Sequence, residues 1–177
     1  VEEAVPGSSY GQAAGYRKAV CQVRGGRGEE AVYSLHEIID DQPEGSVRVQ
    51  AVALLADLYR RQRDWKSAER LYRRQLLAYP GTRWAWSAGM HLAECLVSQE
   101  QDAAAIRVYA GLIADPQAPG ALRAQAQLAV GDLYAGQHQW LEAKQAYRNA
   151  LREHGEEPGV ALLARQKMAA MTEARQA

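Results

Sequence analysis

The sequence predicts an all-α chain built as an array of stacked helix pairs, and three observations lead there. The vocabulary is helix-forming: Ala, Leu, Arg and Gln recur throughout, phenylalanine is absent and β-branched runs are scarce. A pattern of small and aromatic residues returns at a near-constant interval. Prolines fall between the periodic runs, where they end helices, and not inside them.

The repeat is read from aligned residues. Leu55-Ala56, Tyr59, Asp64-Trp65, Ala68, Tyr72, Leu76 and Pro80 recur as Val130-Gly131, Tyr134, Gln139-Trp140, Ala143, Tyr147 and Leu151. Between them lies a weaker copy, Leu92-Ala93, Leu96, Gln101-Asp102, Ala105, Tyr109, Ile113 and Pro116, and a degenerate first copy runs Ala19, Ala31, Leu35, Ile39 and Pro43. The anchors Ala31, Ala68, Ala105 and Ala143 return at an almost constant interval of about 37 residues, the length of one helix pair with its turns.

Each element has its own signal. A first helix is expected over 9–24, opened by Ser9 with Gln12 three residues on, a capping-box arrangement. The run Gly25-Gly26-Arg27-Gly28 turns the chain into a second helix over 28–41, followed by Pro43. Ser46 is the cap expected before 46–62, Asp64 before 65–78, Thr82 before 83–98 and Asp102 before 102–114. Pro80 follows the fourth helix, and the breaker cluster Asp115-Pro116-Gln117-Ala118-Pro119-Gly120 follows the sixth. Helices over 119–136 and 139–153 complete a fourth pair. The last helix, 158–175, has Pro158 in its first turn and Val160, Leu163, Met168 and Met171 on one stripe. It reads as a cap or as the first half of a fifth unit. Residues 1–8 are expected to be a disordered or tag-proximal segment, and 9–177 one domain.

These residues resemble the tetratricopeptide repeat, a helix pair of about 34 residues. The resemblance implies a right-handed α-solenoid of about four such pairs plus a C-terminal helix. Small Ala56, Ala93 and Gly131 on first helices then face Ala68, Ala105 and Ala143 on second helices, where backbones approach closely. Tyr59, Tyr134, Tyr72, Tyr109 and Tyr147 fill the space between pairs. One pair cannot bury its apolar face alone, so stacking supplies the core.

Composition narrows the function classes. Hydrophobic residues at 47% and charged residues at 24% describe a folding chain, not a disordered one. Lys+Arg and Asp+Glu are equal at 21, so no global field draws the protein to nucleic acid or anionic membrane. No stretch reaches the roughly 18 apolar residues of a membrane span. The chain opens Val-Glu-Glu without Met, which reads as a processed or excised product.

Candidate chemistry is sparse, and the expectation is no catalytic residue, no cofactor and no metal. The glycine run 25–28 lacks the preceding strand and following Lys-Ser/Thr of a phosphate cradle, and a turn explains it. His91, Glu94 and Cys95 fall within one helical turn, but a zinc site needs a fourth ligand and none has suitable spacing. Cys21 and Cys95 lie two units apart, beyond the roughly 7 Å reach of a disulfide, so both are expected as thiols. Arg63, Lys66, Arg70, Arg73 and Arg74 form a basic stripe, expected as a solvated outer face. Trp65 and Trp140 occupy the aromatic position opening the second helix and are expected in the core. Trp84 and Trp86 match no signature position and are interface candidates.

The resemblance implies binding of another protein, a peptide or helix, in a concave groove lined by first helices. By position the lining is Tyr16 and Val20, then Gln50, Ala53, Asp57, Arg60 and Arg61, then Met90, Glu94 and Val97, then Gln125, Leu128 and Asp132. Asp57, Glu94 and Asp132 share one register position and form an acidic row suited to a basic, apolar partner segment. The family's chaperone adaptors grip a C-terminal carboxylate with Lys, Arg and Asn in this groove, whereas this chain lacks the Asn residues and presents acid there, so that function is not expected. The junction Tyr79-Pro80-Gly81-Thr82 is similar to one common in bacterial envelope repeat proteins, the outer-membrane-protein assembly lipoprotein and Tol-Pal coordinator types. It implies a bacterial envelope scaffold, with the cytoplasm as alternative. A self-assembling scaffold and a regulatory segment of a larger protein are the other function classes.

Overall fold

The computed structural model describes residues 9–40, 45–156 and 158–176. Among the described residues there are nine helices and no strand: α1 Ser9–Arg24, α2 Gly28–Asp40, α3 Ser46–Arg61, α4 Trp65–Ala78, α5 Arg83–Ser98, α6 Asp102–Ala114, α7 Gly120–Gly136, α8 Trp140–His154 and α9 Pro158–Gln176. The expected boundaries hold to within one residue. Residues 1–8, Pro43 and the side chains of Ser9 and Gln12 lie outside the described set.

Two compact units form, Val1–Ala78 and Tyr79–Ala177. In the first, α1 packs on α2, α2 on α3, and α3 on α4. Its core is Ala19, Ala31, Leu35, Ala51 and Leu55, all at 0% exposure, with Ile38, Ile39, Val52 and Leu58 around them. In the second, α5 pairs with α6, α7 with α8, and α9 lies against both α7 and α8. Leu128, Ala143, Tyr147, Ala150 and Ala164 form a core there, flanked by Val160, Met168 and Met171.

The turn inside each pair repeats one backbone device. Gly26, Arg63, Glu100 and His138 all have positive φ, at 74°, 62°, 60° and 59°. After each, the next amide closes a six-residue ring: Arg27 N to Gln22 O, Asp64 N to Tyr59 O, Gln101 N to Leu96 O and Gln139 N to Tyr134 O, all at 2.9 Å. This is the Schellman arrangement that satisfies the last carbonyls of a helix. It confirms Gly25–Gly28 as a turn. Only the first copy uses the glycine that left-handed backbone favours, so the other three were invisible in the sequence.

Caps were read correctly at two of four helices. Asp64 Oδ1 accepts from Ser67 N at 3.1 Å, and Thr82 Oγ1 accepts from Ala85 N at 3.4 Å. Ser46 and Asp102 are instead the first helical residues, behind Gly45 and Gln101, neither of which makes a side-chain cap bond. The chain turns one residue earlier than the cap preference suggested.

The helix crossings also differ in detail. A Cβ built on Gly131 meets the ring of Tyr147 at Cε1, at 2.7 Å for Cδ1 and 2.9 Å for Cζ, so the missing side chain admits an aromatic ring from α8. Gly89 likewise makes room for Leu112 of α6, at 2.9 Å. Trp65 and Trp140, expected in the core, are half-buried, with His138 edge-on to Trp140 at 5.2 Å between ring centres. Trp86 Nε1 donates to Asp115 Oδ2 at 2.7 Å and ties α5 to the turn before α7. Trp84 lies under the Arg83 guanidinium at 4.7 Å. Leu163, placed on the packed stripe of the last helix, stands 42% exposed on its outer side.

Candidate functional site

The expected groove residues distribute differently in the two units. In the first, Tyr16 is half-buried against the core, and burial raises its phenol above the usual value. Gln50 is half-buried on α3. Asp57 accepts from Arg60 at 2.6 Å and from Arg61 at 2.7 Å, spacings that one helix face provides. Its carboxylate, 23% exposed, is covered by two guanidinium groups of its own helix. The bond to Asp57 is the main cause of a raised Arg60 value, with burial opposing it.

In the second unit, Glu94, Val97 and Asp132 line one cleft of about 330 Å³ between α5 and α7, with Ser98, Ala129 and Leu133. Tyr109 of α6 forms its floor at 4% exposure. Burial, then the charges of Glu94 and Asp132, push the Tyr109 phenol up to about 12. Sequence reasoning assigned Tyr109 to packing alone; its repeat position gave no hint that it separates two carboxylates.

The two acids are held differently. Glu94 Oε2 lies 3.2 Å from His91 Nδ1 on the same helix. Asp132 accepts from Tyr147 Oη at 2.8 Å and from Lys167 Nζ at 2.7 and 2.8 Å, so α8 and α9 both reach it. Burial first, then the bond to Asp132, raises the Tyr147 phenol. Met90 is half-buried and Gln125 exposed, while Leu128, at 4% exposure, is committed to the α7–α8–α9 core.

A larger groove of about 670 Å³ opens over α7 between α6 and α8, lined mainly by Ile106, Ile113, Val130, Tyr134, Leu141 and Ala146. It lies on the second-helix side and is apolar, with Leu141 78% exposed. The metal-capable trio does not converge: Cys95 is buried at 0% while His91 and Glu94 pair at the surface. No group of three metal-capable side chains occurs among the described residues. Cys21 is exposed and Cys95 buried, neither in a disulfide. No described helix is long and apolar enough to cross a membrane.

Two backbone signatures therefore repeat along the chain, the Schellman turn and the small-residue crossing. Residues 4–173 match the tetratricopeptide repeat-like domain. The chain belongs to that family. Its members are generally non-catalytic scaffolds that bind other proteins. Solved structures agree on the fold. PilF of Pseudomonas aeruginosa is similar at 19% identity and a TM-score of 0.66, covering 93% of this chain and 69% of its own. A tetratricopeptide repeat protein of Parabacteroides merdae gives 19% and 0.73, over 92% of this chain and 60% of its own. PilW, a widely conserved type IV pilus biogenesis factor, gives 17% and 0.62, over 94% and 80%. This chain thus spans 69% of the length of the first and 60% of the length of the second. No curated protein sequence matches it.

Proposed function

We propose that this tetratricopeptide repeat-like chain binds a partner polypeptide in the cleft between α5 and α7, and that the partner presents Lys or Arg beside an apolar residue. The observation that carries this reading is the convergence of Glu94 and Asp132 on one cleft whose remaining wall includes Val97 and Leu133. Glu94 supplies selection by charge, Asp132 being already bridged by Lys167, and the apolar wall supplies contact that excludes water. Lys167 shows the geometry a cation adopts at this rim, with both oxygens of Asp132 within 2.8 Å. Asp57 stands outside this reading, because Arg60 and Arg61 already neutralise it. That PilW is a type IV pilus biogenesis factor favours assembly work in the bacterial envelope as the setting.

The test is selection of random 12-residue peptides displayed on phage, followed by titration of the enriched peptides. Enrichment of Lys or Arg next to Leu, Ile or Val is expected. Glu94→Lys should weaken binding by about tenfold or more at low salt, and raising salt should weaken the parent more than the variant. Asp132→Asn, which keeps an acceptor for Tyr147, should weaken it less. Peptides without basic residues, or unchanged affinity in Glu94→Lys, would refute the cleft. Binding lost in Leu141→Arg alone would move the site to the apolar groove between α6 and α8.

A further inference from the structure

The first helices keep one register through α9. Ala51, Ala88, Ala126 and Ala164 share a position at an interval of about 37 residues, and all four are at most 2% exposed. In that register Lys167 of α9 corresponds to Ala129 of α7, and Asp132 of α7 to Glu94 of α5. Lys167 follows Asp132 by 35 residues, and Ala129 follows Glu94 by the same interval.

The two positions have opposite outcomes. Where the register supplies lysine, its ammonium crosses to the preceding first helix: Lys167 Nζ donates to Asp132 Oδ1 at 2.8 Å and to Oδ2 at 2.7 Å, and α9 lies against α7. Where it supplies alanine, the side chain stops at a methyl group, and Ala129 lines the cleft of about 330 Å³ together with Glu94. That cleft takes the place of the lysine that α7 lacks.

Its walls suit such a side chain from stem to head. Val97, Tyr109 and Leu133 line it and can cover an apolar stem while the charged head stays at the rim. Glu94 and Ser98, one helical turn apart on α5, bring a carboxylate and a hydroxyl to the same cleft. An ammonium is a compact charge whose donors rotate to meet both, whereas a guanidinium is a rigid fork that takes both oxygens of one carboxylate. Oε2 of Glu94 already faces His91 Nδ1 at 3.2 Å. The point charge therefore fits better than the fork.

We propose that the cleft between α5 and α7 is a lysine subsite, in which a partner's lysine ammonium meets Glu94 as Lys167 meets Asp132. The inference rests on the reading of this cleft as the partner site, and it narrows the cation to a primary ammonium carried on an extended stem.

Two measurements on the 177-residue chain test it. The first needs no ligand. Ala129→Lys places an amine at the register of Lys167, and a zero-length carbodiimide, which joins a carboxylate and an amine in contact as an amide, should link it to Glu94 as readily as it links Lys167 to Asp132. Mass spectrometry of the digested protein reads both links. The second titrates a synthetic peptide with one Lys between two Leu in a Gly-Ser frame, beside the same peptide with Arg or with Nε-acetyl-lysine. The parent should bind the Lys peptide at least about tenfold more tightly than the acetylated one, and more tightly than the Arg one. Ala129→Lys should weaken the Lys peptide by about tenfold or more, while Ala121→Lys, which adds the same charge at an exposed position of α7 outside the cleft, should not. Glu94→Gln, at an exposed position, should bring the Lys and acetylated peptides level. No link to Glu94 where Lys167 does link to Asp132, equal binding of the Lys and acetylated peptides, an Arg peptide bound more tightly than the Lys one, or a Lys preference that survives Glu94→Gln would each overturn the lysine subsite and, with basic peptides still bound, leave the cleft as the partner site. A parent chain that binds neither the Lys nor the Arg peptide overturns the cleft reading and this inference with it.

Discussion

Replacing Gly131 by Ala adds one methyl group at the tightest helix crossing of the second unit. The new Cβ would lie 2.7 Å from Tyr147 Cδ1 and 2.9 Å from Cζ, where carbon pairs prefer about 3.5–4.0 Å. The ring must retreat by roughly 1 Å. It has little room to do so, because Tyr147 is 2% exposed and its hydroxyl is held by Asp132 at 2.8 Å. Overpacking of this kind costs about 1–3 kcal/mol, and a strained or lost hydrogen bond about 1 kcal/mol more. Against this stands up to about 1 kcal/mol gained from replacing a helical glycine. A net loss of about 1–3 kcal/mol is expected. Urea unfolding followed by circular dichroism measures it, with Gly111→Ala as the comparator. Gly111 sits on an exposed face of α6 with no atom within 4 Å of a built Cβ, so that change should stabilise by up to about 1 kcal/mol. A Gly131→Ala chain as stable as the parent refutes the crossing argument. So does a double variant with Tyr147→Leu that shows no favourable coupling, since removing the ring should relieve the clash.

Two further outcomes follow from the backbone and the buried phenols. Glu100→Gly relieves a left-handed residue at an exposed turn and should stabilise by about 0.5–1 kcal/mol, read as a higher urea midpoint; a lower midpoint would show that the turn is not strained. The Tyr109 phenol is pushed up to about 12, above the usual tyrosine value near 10, so its neutral form stabilises the fold fully below pH 10 and that contribution is lost as pH rises to 12. Stability should therefore fall over that window by up to about 1.4 kcal/mol per pH unit for this tyrosine. Tyr109→Phe should flatten the fall, and an equally steep loss in that variant would exclude Tyr109 as its source.

Helix positions were legible from the repeat anchors and the apolar stripes, with a proline after α4 and after α6 as a further mark. Two things escaped. Left-handed Arg63, Glu100 and His138 carry no compositional mark, since the Schellman bonds that hold them are made by backbone groups that every residue has. The role of Gly131 was placed one helical turn away, with Ala143, because small residues at equivalent positions suggest mutual approach. The ring of Tyr147 fills that space instead, four residues further along α8.

The acidic row shows where register ends and context begins. Asp57, Glu94 and Asp132 occupy one position of the repeat, and sequence treats them alike. Their neighbours do not. Residues three and four further on are Arg60 and Arg61 beside Asp57, so that carboxylate is compensated within its own helix. Beside Asp132 the cation comes 35 residues later in the chain, from Lys167 of α9, and a phenol donates as well. Glu94 has the imidazole of His91, which carries charge only when protonated. Its carboxylate is exposed and lines the cleft, so a cation presented by a partner reaches it directly. Exposed ion pairs contribute little each, about 0–1 kcal/mol, so the row as a whole cannot hold a ligand by charge alone. Contact with Val97 and Leu133 has to supply the strength, while Glu94 supplies the choice. That division explains why Glu94→Lys, at an exposed position, is the substitution that separates recognition from stability.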